Sequence, residues 1–299
     1  MKQIILPTYS AKKIAIFFVS AILVFIAFFF FYRKPPVKNN INHTYRSSSQ
    51  IRFAVIGDFG SAGPVEDEVA QMVKKSHPDF IVTTGDNNYP DGLASTIEEN
   101  IGQYYGDYLG RFYPTLGNHD IVRGYQPYLD YFHLPENERY YDFVKGPIHF
   151  FSLNSNPDEP DGITFDSKQA QWLQQKLLAA TEPFKIVFFH HPPFTSGTVH
   201  GALEQMRWPF GDWGVDVVLN GHEHNYERII HDSVTYVVNG LSGQPDIYSL
   251  GDRIKESKAG YDKDYGALFV EGDDAHLTFT FRNIDGRLID SFILTAKSS

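Results

Sequence analysis

Five short clusters rich in oxygen and nitrogen donors punctuate the chain: Gly57-Asp58-Phe59-Gly60, Gly85-Asp86-Asn87-Asn88-Tyr89, Gly117-Asn118-His119-Asp120, Val187-Phe188-Phe189-His190 and Gly221-His222-Glu223-His224. Singly each is weak, since Gly-Asp pairs are ordinary turn dipeptides. Two carboxylates, an amide and three imidazoles from this set, converging at one sheet edge, would be costly to desolvate together without a cation. The chain has no cysteine, so any metal must sit on oxygen and imidazole. On an extended or turning backbone alternate side chains face the same way, so His222 and His224 can reach one centre. Glu223 then points elsewhere, as an acid facing solvent or supporting the site.

Four apolar runs end at such clusters: IRFAVIGD from Ile51, DFIVTTGD from Asp79, FKIVFFHH from Phe184 and VDVVLNGHEH from Val215. Nearly continuous Val, Ile and Phe of this length predict strands buried on both faces. A helical stretch, Pro64 to Ser76, separates the first two, and another, Asp166 to Ala180, precedes the third with Asp166 or Ser167 as its cap. This alternation predicts an α/β domain with largely parallel strands, whose ligands bind beyond the carboxyl ends of the strands. After Tyr226 the runs YERIIH, VTYVVNG, YGALFVE, HLTFTFRN and RLIDSFIL read as mainly antiparallel β, with Asp285-Gly286 as a hairpin turn. Leu241 to Lys263, glycine-bearing and charged, reads as a surface loop. The expectation is one domain over residues 51–299, with two packed mixed β-sheets and helices outside.

With 299 residues and 42% hydrophobic content the chain can bury a large core, which excludes disorder for most of it. The net charge of −10 hides an asymmetry. Residues 1–50 carry Lys2, Lys12, Lys13, Arg33, Lys34, Lys38 and Arg46 and no acid, so the rest is more acidic than the whole. Such a body repels a polyanion, and no nucleic-acid partner is expected. From Ile14 to Tyr32 no charge interrupts nineteen residues, enough at about 1.5 Å per residue to approach the ~30 Å hydrocarbon layer. The run is longer than a cleaved signal segment and is expected to be a single-pass transmembrane signal anchor after a short tail, residues 1–13. Bases flank both ends, and the short tail favours an arrangement with the large domain outside the cytoplasm. Residues 33–50, polar and proline-bearing, read as a flexible tether.

The ordered cluster set resembles the calcineurin-like metallophosphoesterase superfamily, in its purple acid phosphatase branch of the small, tartrate-resistant-like form, from about Ile51 to Leu294. The superfamily's first motif is Asp-x-His, but here the third position is Gly60, and the missing ligand looks replaced by Tyr89. The resemblance implies a four-layer metallophosphoesterase sandwich and two metal ions. One would take Asp58, Tyr89 and His224, the other Asn118, His190 and His222, with Asp86 bridging. Fe(III) with Fe(II), Zn(II) or Mn(II) is the implied content, consistent with phenolate and carboxylate for a trivalent ion and imidazole with amide for a divalent one. It further implies acid phosphatase-like hydrolysis of small phosphomonoesters by metal-activated hydroxide. His119 and His200 match the two non-ligand histidines that orient the phosphate and assist the leaving group.

His191, next to a ligand and before Pro192-Pro193, is expected to face away from His190 if that stretch is extended, in a supporting role. Asp120 could fix the His119 tautomer or cap a helix. The same metals would serve a phosphodiesterase or nucleotidase, the choice resting on loops such as Tyr89 to Tyr113 and Leu241 to Lys263. A non-catalytic metal- or anion-binding module at the membrane would need neither the bridge nor His119. Without cysteines no disulfide-linked oligomer can form, and the sequence sets no other oligomeric state.

Overall fold

A computed structural model describes residues 50–297 of the chain. The expected tail, transmembrane segment and all of the tether except Gln50 lie outside the described residues. Among those described, no helix is long and apolar enough to cross a membrane.

The first half of the domain runs through β1 (Ile51–Ile56), helix α1 (Pro64–Lys75), β2 (Phe80–Thr83) and β3 (Phe112–Tyr113), and then the hairpin of β4 (Tyr141–Lys145) and β5 (Ile148–Ser152). Helix α2 (Lys168–Ala179) leads into β6 (Phe184–Phe188) and β7 (Val217–Asn220). The last six strands are β8 (Tyr226–His231), β9 (Val234–Asn239), β10 (Ser257–Tyr261), β11 (Gly266–Gly272), β12 (His276–Asn283) and β13 (Leu288–Thr295). They form two mixed sheets, ordered β13-β12-β11-β1-β2-β3 and β10-β8-β9-β7-β6-β5-β4. Each contains a parallel run: β1 with β2 and β2 with β3 at one end of the first, β5 with β6, β6 with β7 and β7 with β9 within the second.

The four expected strands fall where the sequence places them, two per sheet, and their apolar continuity has a direct cause. Phe53 and Val55 of β1, Phe80 and Val82 of β2, Ile186 and Phe188 of β6, and Val217 and Leu219 of β7 share one core between the sheets. The alternate residues face outward: Ala54, Ile56 and Ile81 pack on Val69 and Val73 of α1, and Val187 and Val218 pack on Leu173 and Leu177 of α2. Each buried Val, Leu, Ile or Phe side chain contributes about 1.5–3 kcal/mol by leaving water, so both faces are predominantly apolar. The layers are therefore helix, sheet, sheet, helix. Ser167 caps α2, its side chain accepting from the Ala170 N–H at 3.2 Å, which settles the choice between it and Asp166.

The antiparallel tail is shared between the sheets, β8 and β10 extending the second and β11, β12 and β13 the first. One expectation is corrected. The segment 241–263 is not wholly loop, since Ser257–Tyr261 pairs with β8. Pairing with a neighbour overrides the polar composition of that strand.

Candidate metal centre

Every expected metal ligand stands at or just past the carboxyl end of a strand or its following loop. Asp58 follows β1, Asp86 and Tyr89 follow β2, Asn118 lies beyond β3, His190 follows β6, and His222 and His224 follow β7. Asp58, Asp86 and His222 have positive φ of 52°, 52° and 69°. Left-handed backbone at non-glycine residues is strained, on the order of 1–3 kcal/mol each, and persists where the surroundings fix it. Here it turns the side chain back over its own strand end and into the crevice.

The donors converge in two groups. Tyr89 Oη lies 3.4 Å from Asp58 Oδ1, 3.0 Å from Asp86 Oδ2 and 3.3 Å from His224 Nε2. His190 Nε2 lies 3.0 Å from Asn118 Oδ1, 3.1 Å from His222 Nδ1 and 3.3 Å from Asp86 Oδ2. Ligands held about 2.0–2.2 Å from one ion are separated by roughly 2.9–3.5 Å at coordination angles between square and tetrahedral. The observed separations fall in that range, and a single atom, Asp86 Oδ2, belongs to both groups. Asp58, Asp86 and His190 form one compact donor triad, and His190, His191 and His222 another.

The ring nitrogens facing the centre are the ones free to coordinate. His190 Nδ1 is 2.8 Å from the Thr84 carbonyl and His224 Nδ1 is 2.8 Å from the Asp246 carbonyl. A carbonyl accepts only, so each Nδ1 keeps a proton, and it is Nε2 that would give up its own and turn a lone pair to a bound cation, the arrangement that supporting groups impose on metal-binding imidazoles. Tyr248 stacks on the His224 ring, centroids 4.1 Å apart and 9° from parallel. Sequence reading missed Thr84, Asp246 and Tyr248 because two act through backbone carbonyls and the third sits in a featureless loop.

Electrostatics call for positive charge at this spot. Burial drives the His190 imidazole toward neutrality, yet Asp86 and Asp58 outweigh it and raise its pKa to about 9. Burial alone would raise the Asp86 carboxyl, but the charge of His190 and its hydrogen bond hold it well below the carboxylate range. His222 is pushed down by burial and then by His190, since a second proton cannot share the cluster. Burial, with Asp86 and Asp58 beside it, drives the Tyr89 phenol well above its ordinary value. A phenolate there needs a multivalent cation close by. Hard oxygens and lone-pair imidazoles around one shared carboxylate oxygen fit a pair of metal ions.

Gly60 cannot supply a ligand, and no residue with a side chain could stand there, because a Cβ would collide with the Asn87 carbonyl. The two expected non-ligand histidines flank the cluster. The His119 ring lies 4.4 Å from that of Tyr89, with its backbone N–H donating to Asp86 Oδ1 at 2.8 Å. His119 Nδ1 is 2.5 Å from the Pro90 carbonyl, so Nε2 stays available for substrate. Asp120 therefore has neither expected role: buried, it accepts from the N–H groups of Asn87, Asn88 and Gly117 and from the Asn87 side chain, tying two ligand loops together. His200 covers His222, rings 4.2 Å apart and 28° from parallel. His191 does not face away, because the strand ends at Phe188 and the backbone turns. Its ring lies 4.4 Å from His222, with Nδ1 2.8 Å from Ser155 Oγ, and burial pushes its pKa down to about 3. Glu223 is fully buried, not solvent-facing.

The sequence model of the calcineurin-like phosphoesterases matches residues 51–226, which spans every one of these donors. The chain belongs to the calcineurin-like phosphoesterase family. Within it, purple acid phosphatase 15 of Arabidopsis thaliana is 30% identical over 230 residues, 61% of this chain, and the chain spans only 41% of that relative's length. Human tartrate-resistant acid phosphatase type 5 is 24% identical over 66% of this chain and 74% of its own. In fold, this calcineurin-like domain superimposes on the purple acid phosphatase of yellow lupin seeds with TM-score 0.70 at 19% identity, over 83% of this chain and 54% of that one. It also matches GAP50, the anchor in the inner membrane complex of Plasmodium, with TM-score 0.68 at 19% identity, over 84% and 90%. Family and relatives put the chain among metal-dependent phosphoester hydrolases.

Proposed function

We propose that the protein is a dinuclear phosphomonoesterase of the acid phosphatase kind, held at a membrane by residues 14–32 with its catalytic domain outside the cytoplasm. Asp58, Asp86, Tyr89 and His224 would hold one ion, and Asp86, Asn118, His190 and His222 the other. The observation that carries this reading is Asp86 Oδ2, 3.0 Å from Tyr89 Oη and 3.3 Å from His190 Nε2. The Tyr89 side, with two carboxylates and a phenol, suits Fe(III), and the imidazole-and-amide side suits Fe(II), Zn(II) or Mn(II).

When bound, the ions supply the positive charge that draws in a phosphate and a water acidic enough to attack it near neutral pH. The chain's own residues do the rest. His119, against Tyr89, and His200, over His222, orient the phosphate and assist the departing oxygen. His119 can do so through Nε2, because Pro90 occupies its other nitrogen. His191 is not assigned a proton, being kept neutral by burial.

The purified protein should carry two metal ions per chain, hydrolyse p-nitrophenyl phosphate and prefer it to the corresponding diester. Preference for the diester would move the assignment to a phosphodiesterase. Full metal content with no turnover of either ester would leave a metal-binding module. For the membrane assignment, protease added to intact cells should remove the catalytic domain; protection of the domain until lysis would reverse the orientation.

A further inference from the structure

Between the two ligand histidines of the turn after β7, Glu223 sends its side chain the other way, into the protein. It is fully buried. Glu223 Oε1 accepts the backbone N–H of His200 at 2.7 Å and of Gly201 at 2.6 Å. Oε2 has no hydrogen-bond partner among the described residues. The loop lies directly on this carboxyl: a Cβ at position 197 would come 2.3 Å from Glu223 Cδ, so a side chain there would have to displace it.

The other anchors of the loop stop short of His200. Glu227 accepts from Ser196 Oγ and Ser196 N–H, both at 2.6 Å, and Thr198 Oγ1 donates to the Ser249 carbonyl. Beyond the far end, the Leu203 N–H bonds the Pro192 carbonyl. From residue 199 to 202, Glu223 is the only hydrogen-bond acceptor found among the described residues. The His200 side chain itself makes ring contacts, over His222 and beside Tyr248 at 5.4 Å, and its backbone sets where the ring can go.

We propose that Glu223 is a positioning residue that clamps the His200 loop to the metal-ligand turn, so that one three-residue segment orients both the ligands and the His200 ring. Carboxylate-to-N–H bonds are roughly twice as strong as neutral ones, and burial keeps water from competing for them. Because His222 and His224 point into the centre and Glu223 into the loop, a shift of the turn moves all three together. The clamp itself is a matter of geometry; its catalytic consequence rests on the phosphoesterase reading, in which His200 serves the departing oxygen.

The test compares Glu223→Ala, Glu223→Gln, His200→Ala and the double variant Glu223→Ala/His200→Ala in the full-length protein. Hydrogen exchange at the His200 and Gly201 amides needs no activity to be read. It should quicken roughly 10- to 100-fold in Glu223→Ala while β6 and β7 amides stay protected, and Glu223→Gln, whose Oε1 still accepts, should restore most of the protection. Turnover of an alkyl phosphate, with its poor leaving group, should fall in Glu223→Ala about as far as in His200→Ala, and the double variant should fall no further. Losses on p-nitrophenyl phosphate should be smaller throughout. Unchanged exchange in Glu223→Ala overturns the clamp, and losses that multiply in the double variant overturn its action through His200. If the Ala variant does not fold, Glu223→Asp, one methylene shorter, should show the same faster exchange, and normal protection there also overturns the clamp. Absence of turnover in every form, wild type included, would sink the phosphoesterase reading while exchange still decides the clamp.

Discussion

The two sheets bring opposite chemistry to their shared edge. From the first come Asp58, Asp86, Tyr89 and Asn118, two carboxylates, a phenol and an amide, whereas the second supplies only imidazoles, His190, His222 and His224. Neither half is a site alone: the acids would repel one another, and the imidazoles would have lone pairs facing lone pairs. The contrast teaches that the centre exists only when the sheets pack, and that the buried Phe53 and Phe188 between them are determinants of the site at a distance. Asp86 is the residue that crosses, being on the first sheet but touching His190 of the second.

The most damaging change to that comparison is Asp86→Ala, which removes the shared atom. Phosphoester turnover should fall at least ~1,000-fold and both ions should be lost from the purified protein. One ion retained at full occupancy would show that the halves do not share a ligand. Next, His119→Gln tests whether the first-sheet flank supplies a proton, not a ligand. Its kcat should drop about 100-fold or more with metal content unaltered, and loss of metal would make His119 a structural part of the centre.

Tyr89→Phe sharpens the contrast by deleting one anion from the first-sheet half alone. The oxidised wild type should be violet from phenolate-to-iron charge transfer, and the variant should be bleached while keeping the second-sheet ion. A colourless, iron-free and fully active wild type would remove the ferric assignment and leave the phosphoesterase one.

The smallest effect on turnover concerns Glu66, buried beneath the loop that carries Asp58, where it accepts the Ser61 N–H at 3.0 Å. Burial, only partly opposed by that bond, raises its pKa to about 10. Below about pH 4.5 the carboxyl is protonated in both folded and unfolded chains, so it contributes no pH dependence. Between there and about 10 only the unfolded chain releases the proton, so stability falls as pH rises, by at most about 1.4 kcal/mol per unit. Urea midpoints measured from pH 5 to 9 should decline in wild type and be flatter in Glu66→Gln. Equal slopes would show that Glu66 is ionised in the native protein.

Much of this contrast was legible in the amino-acid order. Strands buried on both faces write continuous apolar runs, and their ends mark where side chains enter the crevice, so β1, β2, β6 and β7 could be read, and with them the clusters that follow. The assignment of seven residues as ligands came from the family resemblance. The pairing partners could not, because antiparallel strands such as β10 and β12 carry no local sign of which sheet they join. Two-residue β3 is too short to leave a periodic pattern. At the site, Glu223 and His191 misled for one reason: alternation says which way a side chain leaves the backbone, not what lies there. For Glu223 it is the loop of His200, and for His191 a turn that carries the ring back to His222.

The central claim is that two ions share one carboxylate oxygen at the junction of the sheets. Anomalous X-ray scattering from crystals of the purified protein measures this directly. The account predicts two metal peaks per chain, one within bonding distance of Tyr89 and His224, the other of His190 and His222, with Asp86 bonded to both. A single peak, or two with Asp86 touching only one, would contradict it.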